Sequence, residues 1–178
     1  MNNFYKNKKV IITGAAGGLG KELSVQLNNF GANLFCVVSK NSDISELSFC
    51  KKIYRCDFND TEDVDSLIWN SAFDKVDILI NCAGIFPIKS LEETSLEEFD
   101  KVMNVNFRVP FILIQRSIKT MKNQNQGLII NVGSSSSYNG SSTSGAYCIS
   151  KHALLGMSRS YNKELKKYNI RSLIFSPG

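Results

Sequence analysis

Val10-Ile11-Ile12-Thr13-Gly14-Ala15-Ala16-Gly17-Gly18-Leu19-Gly20 decides how the rest of this chain is read. A short β-branched run stopped by glycine is the pattern of a strand buried on both faces of a parallel sheet. Apolar residues then recur at helical spacing, at Leu19, Leu23, Leu27 and Phe30, until Gly31 stops them. The glycines between therefore sit on a strand–turn–helix. A helix N-terminus offers free N–H groups and the positive end of a dipole, which suits a pyrophosphate. Glycine lets the backbone approach such a ligand with no Cβ in the way. A tight turn without a ligand is the plain alternative. A P-loop does not fit: Ala15 stands where its first glycine belongs, and Glu22 replaces the Ser or Thr that follows its lysine.

The same alternation continues outward. Further buried strands are expected at 34–38, 53–56, 76–80, 128–132 and 170–175, and helices at 60–71, 95–122 and 145–168. Val64, Leu67 and Ile68 share one face of the second helix. Ser95-Leu96-Glu97-Glu98 is a capping box that opens the third. Strands alternating with helices predict an α/β fold: a three-layer, doubly wound, Rossmann-like parallel sheet of about six strands with helices on both faces. No linker divides residues 1–178, which read as one dinucleotide-binding domain; the low-complexity stretch is the serine run at 134–137.

Composition narrows the class. The 178 residues are 43% hydrophobic and 21% charged, ordinary for a globular chain. The net charge of +5 is scattered, and its densest groups, Lys6, Lys8 and Lys9 and then Lys163, Lys166 and Lys167, read as solvated surface. Nucleic acid is therefore not an expected partner. The five cysteines form no C-x-x-C pair, and with His152 as the single histidine no metal site is expected. Several of them sit in apolar runs and read as small buried hydrophobes, which fits a reducing compartment. No signal-peptide run or membrane span is seen, so a cytoplasmic protein without a membrane partner is expected.

Thr13-Gly14-x-x-x-Gly18-x-Gly20 departs from the usual dinucleotide fingerprint and resembles that of the classical short-chain dehydrogenase/reductase family. The resemblance extends over the whole chain. Asn81-Cys82-Ala83-Gly84 is similar to the family's Asn-Asn-Ala-Gly turn, with a cysteine in second place. Ser134 lies 13 residues before Tyr147, the family spacing, and Tyr147-Cys148-Ile149-Ser150-Lys151 is its Tyr-x-x-x-Lys signature. The resemblance implies a catalytic set of Asn106, Ser134, Tyr147 and Lys151, with Ser135 as the fallback for Ser134. It implies a dinucleotide held by Gly14, Gly17, Gly18, Leu19 and Gly20, by Ser39, Lys40 and Asp57, by Asn81, Ala83 and Gly84, by Tyr147 and Lys151, and by the Pro177-Gly178 turn.

The residues make chemical sense on their own. Tyr147 and Lys151 are four apart, so one helix face carries both. A phenol titrates near pH 10, and ionising one near neutrality needs about 4 kcal/mol. One ammonium roughly 4 Å away, at an effective dielectric of about 20, supplies on the order of 4 kcal/mol. Such a pair can give a proton to a carbonyl oxygen or take one from an alcohol, while a serine hydroxyl orients that oxygen. An ordinary surface pair is the alternative for two such residues in isolation. Asn106 falls on the apolar stripe of Phe99, Val102, Met103, Val109 and Leu113, where a polar group needs a partner or a job. A structural hydrogen bond is its other reading, and capping a turn is the other reading of Asp57.

No carboxylate follows Val38 until Asp43. Ser39-Lys40 instead offers a hydroxyl and an ammonium, which suit a 2′-phosphate and favour NADP over NAD. Gly17 weighs the other way, because many NADP-using relatives carry a basic residue there. The resemblance thus implies an NAD(P)-dependent oxidoreductase that interconverts a small-molecule carbonyl and alcohol, working as a homodimer through helices 95–122 and 145–168. Family members continue past the Pro-Gly turn with a substrate loop and a seventh strand; the sequence given ends at that turn, as either a fragment of a longer protein or a natural short form would. A truncated dinucleotide-binding protein of the same fold with weak or no catalysis is the alternative. A serine hydrolase is a poor third, having His152 as its one possible base and no nucleophile elbow.

Overall fold

The computed structural model of the chain describes residues 4–177. The strands are β1 (Lys9–Thr13), β2 (Asn33–Val38), β3 (Lys52–Arg55), β4 (Ile78–Asn81), β5 (Gly127–Val132) and β6 (Ile170–Phe175). They form one six-stranded sheet, all parallel, in the order β3-β2-β1-β4-β5-β6. Helices α1 (Gly18–Asn29), α2 (Thr61–Ile68), α3 (Leu96–Met103), α4 (Val109–Gln124) and α5 (Gly145–Leu165) lie between them. This is the doubly wound α/β sheet that the alternation predicts.

β1 shows why both faces are covered. Side chains alternate across a strand, so its aliphatic run feeds two layers. Ile11 joins Val37, Leu79 and Ile129, against which α2, α4 and α5 place Leu67, Leu113, Ile114 and Leu165. Val10 and Ile12 join Leu34, Val38 and Ile80 on the other side, under Leu27 of α1. Each fully buried aliphatic of this kind stabilises the fold by roughly 2 kcal/mol.

Several boundaries depart from the sequence reading, each for a local reason. The single helix expected over 95–122 is α3 and α4 joined by a π turn, Asn104–Arg108. There the Val109 N–H reaches five residues back to the Asn104 carbonyl. Pro110 follows and has no N–H to return to the carbonyl of Asn106. The second helix ends at Ile68, because Asn70 accepts from the Ala72 N–H and opens a separate 3₁₀ turn, Ser71–Asp74. β4 starts at Ile78 and runs to Asn81. α5 gives way to a 3₁₀ turn at Lys166–Tyr168, which Asn169 closes in the left-handed region at φ 55°. The capping box stands as expected: Ser95 Oγ accepts from the Glu98 N–H, and the Glu98 carboxylate accepts from the Ser95 N–H.

The cysteines are a correction. Cys36 of β2 and Cys50, just before β3, are joined by a disulfide, their Cα atoms 6.5 Å apart. The reading of several cysteines as small buried hydrophobes missed the side-by-side course of these two segments, and the cysteines no longer argue for a reducing compartment. Cys56 and Cys148 are free and buried. Burial pushes the Cys56 thiol up to about 12, so it stays an inert hydrophobe. Among the described residues no helix is long and apolar enough to cross a membrane, and no cluster of three His, Cys, Asp or Glu could hold a metal ion.

Candidate active site

Strand order reverses between β1 and β4, so the loops at their carboxyl ends part in opposite directions and leave a crevice. A cavity of about 480 Å³ opens there. Its walls are Gly14, Ala16 and Gly17 after β1, residues 37–42 at the end of β2, 56–59 after β3, and 82–85 after β4, with Val105 from the π turn.

The glycine turn is built by close approach. Gly14 has φ +69°, and a Cβ there would lie 2.8 Å from Ala83 Cα and N. The β1 and β4 turns therefore touch, and buried Thr13 ties them: its Oγ1 accepts from the Cys82 and Ala83 N–H groups, both at 3.1 Å. Gly20 packs the first turn of α1 onto Gly14, where any Cβ would fall on the Gly14 carbonyl. Gly17 opens α1 with no side-chain cap, so the first N–H groups of the helix stay available beside the cavity. Gly18 and Leu19 are exposed at the helix start and do not line it. An uncapped helix N-terminus, glycines in the wall beside it and a crevice at the switch point fit a dinucleotide.

Ser39, Lys40 and Asp57 line the same cavity. Lys40, however, is already engaged. Its Nζ lies 2.7 Å from Asp63 Oδ2 and 3.7 Å from Asp60 Oδ2. The Asp63 contact raises the Lys40 ammonium above its ordinary range and lowers the Asp63 carboxyl below its own. Asp63 Oδ2 also accepts from the Asp57 N–H at 2.9 Å, and Asp57 caps its turn by accepting from the Asn59 N–H. Arg55 donates through Nη1 to the carbonyls of Ser39, Lys40 and Ser42, and so gathers the loop after β2. Neither Asp63 nor Arg55 stands out in the sequence, since nothing local says where a helix-start carboxylate or a strand-end guanidinium will reach.

Tyr147 and Lys151 are not in the wall of that cavity; Tyr147 is half-buried in the first turn of α5, and Lys151 follows one turn later, 4% exposed. The Lys151 Nζ lies 5.5 Å from the centre of the Tyr147 ring and donates to the Val132 carbonyl at 2.7 Å. Burial lowers its amine to about 8, close enough to neutrality to exchange a proton. Phe86 packs edge-on to the Tyr147 ring, centroids 4.6 Å apart.

Asn106 is fully partnered. Its Nδ2 donates to the Ile85 carbonyl at 2.9 Å and to Ser150 Oγ at 3.0 Å, and its Oδ1 accepts from the Ile85 N–H at 2.9 Å. Ser150 Oγ in turn donates to the Tyr147 carbonyl at 2.7 Å. The structural hydrogen bond weighed for Asn106 is thus present, and it joins the β4 turn to the tyrosine's helix. Both Asn106 and Lys151 come close to Gly84: a Cβ there would lie 3.4 Å from Asn106 Oδ1 and 3.6 Å from Lys151 Nζ.

Ser134 follows β5 and caps the 3₁₀ turn Ser135–Ser137, its Oγ accepting from the Ser136 N–H at 3.1 Å; that turn packs on α5. Ser135 itself is exposed. Asn81 does not reach the cavity wall. Its Nδ2 donates to Asn131 Oδ1 at 2.8 Å, and the side chain is buried beneath. Pro177 follows β6, and Gly178 lies outside the described residues. His152 is exposed with Nδ1 2.9 Å from the Cys148 carbonyl of its own helix, which leaves no hydrolase-like base beside a serine.

A family profile described as short chain dehydrogenase matches residues 8–178. An uncharacterized oxidoreductase of Thermotoga maritima is 35% identical over 186 residues, which cover 98% of this chain and 72% of that protein. The crystal structure of an NAD⁺-bound xylitol dehydrogenase superposes with a TM-score of 0.85 at 26% identity, covering 99% of this chain and 72% of that one. A metagenomic short-chain oxidoreductase in complex with NADP shares the fold with a TM-score of 0.88 at 24% identity, over 98% of this chain and 82% of that one.

Proposed function

This chain belongs to the short-chain dehydrogenase/reductase family, and from that premise we propose that it is an NAD(P)-dependent oxidoreductase interconverting a carbonyl and an alcohol, with Tyr147 as acid and base. The observation that carries the reading is Tyr147 and Lys151 one turn apart on α5, with the Lys151 Nζ close to Gly84, a residue that lines the crevice. When bound, the dinucleotide supplies or accepts the hydride. The α1 N-terminus with Gly14 and Gly17 would hold its pyrophosphate, Ala83 and Gly84 would face it from β4, and Lys151 would hold the ribose nearest the reaction.

The chain's own residues handle the proton. The Tyr147 hydroxyl donates to the carbonyl oxygen during reduction and receives the alcohol proton during oxidation. Its place in the first turn of α5 sets it at the positive end of that helix dipole, favourable for negative charge that develops on the oxygen. Ser134 hydrogen-bonds the same oxygen and orients it. Asn106 holds the Ile85 backbone and the tyrosine's helix in register. NADP is the preferred dinucleotide in this reading, supported by Ser39 and Lys40 in the cavity wall and by the absence of a carboxylate at the end of β2.

Titration of the purified chain with NADPH and with NADH, followed by nicotinamide fluorescence, tests the site. Saturable binding is expected, tighter for NADPH. Tighter NADH binding overturns the preference, and no binding of either overturns the reading. We also expect a homodimer through α4 and α5, which leave Phe111 and Ile149 37% and 41% exposed. A monomeric mass in light scattering at micromolar concentration contradicts it.

A further inference from the structure

We propose that Asp63 is a positioning residue that limits how strongly this chain prefers a 2′-phosphorylated dinucleotide, because it holds the Lys40 ammonium. The inference rests on the dinucleotide reading of the crevice. Lys40 stands in the wall after β2, where a 2′-phosphate would need a cation. Its Nζ is bound at 2.7 Å to Asp63, which arrives from the first turn of α2. The carboxylates of Asp57 and Asp60 also bear on that one ammonium. The neighbouring cation, Arg55, lies outside the wall and commits its Nη1 to three backbone carbonyls of the loop. A 2′-phosphate must therefore share Lys40 with Asp63, whereas the bare hydroxyl of NADH has no such competitor.

The neighbouring acids have other duties. Asp60 is the N-cap of α2 and accepts from the Glu62 and Asp63 N–H groups, and Asp57 caps its own turn. Asp63 is the carboxylate in direct contact, 26% exposed against 51% for Lys40. An exposed ion pair of this kind is worth at most about a fivefold factor in an equilibrium. A phosphate can thus compete for the lysine, and removing the carboxylate has a measurable and bounded effect.

Asp63→Asn is the decisive variant, since an amide oxygen can still accept from the Asp57 N–H while the charge is gone. NADPH is expected to bind about three- to fivefold tighter, and NADH to change less than about twofold. The gain should shrink at about 0.5 M salt, where the screening length is only a few ångströms. It should vanish in a Lys40→Met background, because Asp63 acts through Lys40. Equal changes for both dinucleotides, weaker NADPH binding, or a gain that survives Lys40→Met each overturn the proposal while leaving the dinucleotide site intact. A wild-type chain that binds neither dinucleotide overturns the site and this inference together.

Discussion

Tyr147→Phe is expected to lose carbonyl reduction by about three orders of magnitude while its affinity for NADPH stays within about twofold. A positioned general acid contributes typically about 10²–10⁴-fold to rate, and phenylalanine removes only the hydroxyl that carries the proton. The ring remains, so the edge-on packing of Phe86 is kept. No hydrogen bond to the Tyr147 hydroxyl holds the described fold together; the bond from Ser150 goes to the backbone carbonyl and survives the change. Stability should therefore be unaltered, which separates loss of chemistry from loss of structure. Steady-state reduction of a panel of small ketones and acyl thioesters, alongside the dinucleotide titration, checks it. Retention of more than about a tenth of the wild-type rate would place the proton transfer on another group.

Two neighbouring glycines should respond with opposite sign. At Gly20 an added Cβ falls on the Gly14 carbonyl oxygen, with the Gly14 carbonyl carbon at 2.8 Å and Ala15 Cα at 3.2 Å. All three are backbone atoms, so no flexible side chain can yield and α1 must shift away from the β1 turn. Gly20→Ala should cost about 3 kcal/mol, which for a chain of this size lowers Tm by roughly 10 °C. Because the same turn forms the pyrophosphate wall, dinucleotide affinity should fall more than about tenfold. At Gly18 nothing lies within 4 Å of the added Cβ, and the residue is helical. Gly18→Ala should stabilise by up to about 1 kcal/mol through helix propensity alone. Thermal melts of the two variants give the comparison, and equal behaviour would sink the assignment of Gly20 to close packing.

Local pattern alone carries the sheet. Val10-Ile11-Ile12 before a glycine turn, and similar aliphatic runs at 34–38 and 128–132, specify strands buried on both faces, because β-branched residues at period two can satisfy two apolar layers at once. The glycine spacing, the Ser95 capping box and the Tyr147–Lys151 interval are likewise short-range features, readable without knowing what they will touch. Contacts between distant segments had no such signature. Asn106 reaches Ile85 across 21 residues and Ser150 across 44, and Lys151 reaches Val132 across 19. Helical periodicity missed the π turn that carries Asn106, since it depends on where Pro110 leaves a carbonyl without its N–H partner. Cys36 met Cys50, Asn81 met Asn131 on the neighbouring strand, and Lys40 found Asp63, because the folded sheet sets segments distant in sequence side by side. The sequence by itself determined the fold class and the residue types available for chemistry. Tertiary structure decided which of them are free to act, because an ammonium or amide bonds to whatever group the packed chain sets within about 3 Å of it.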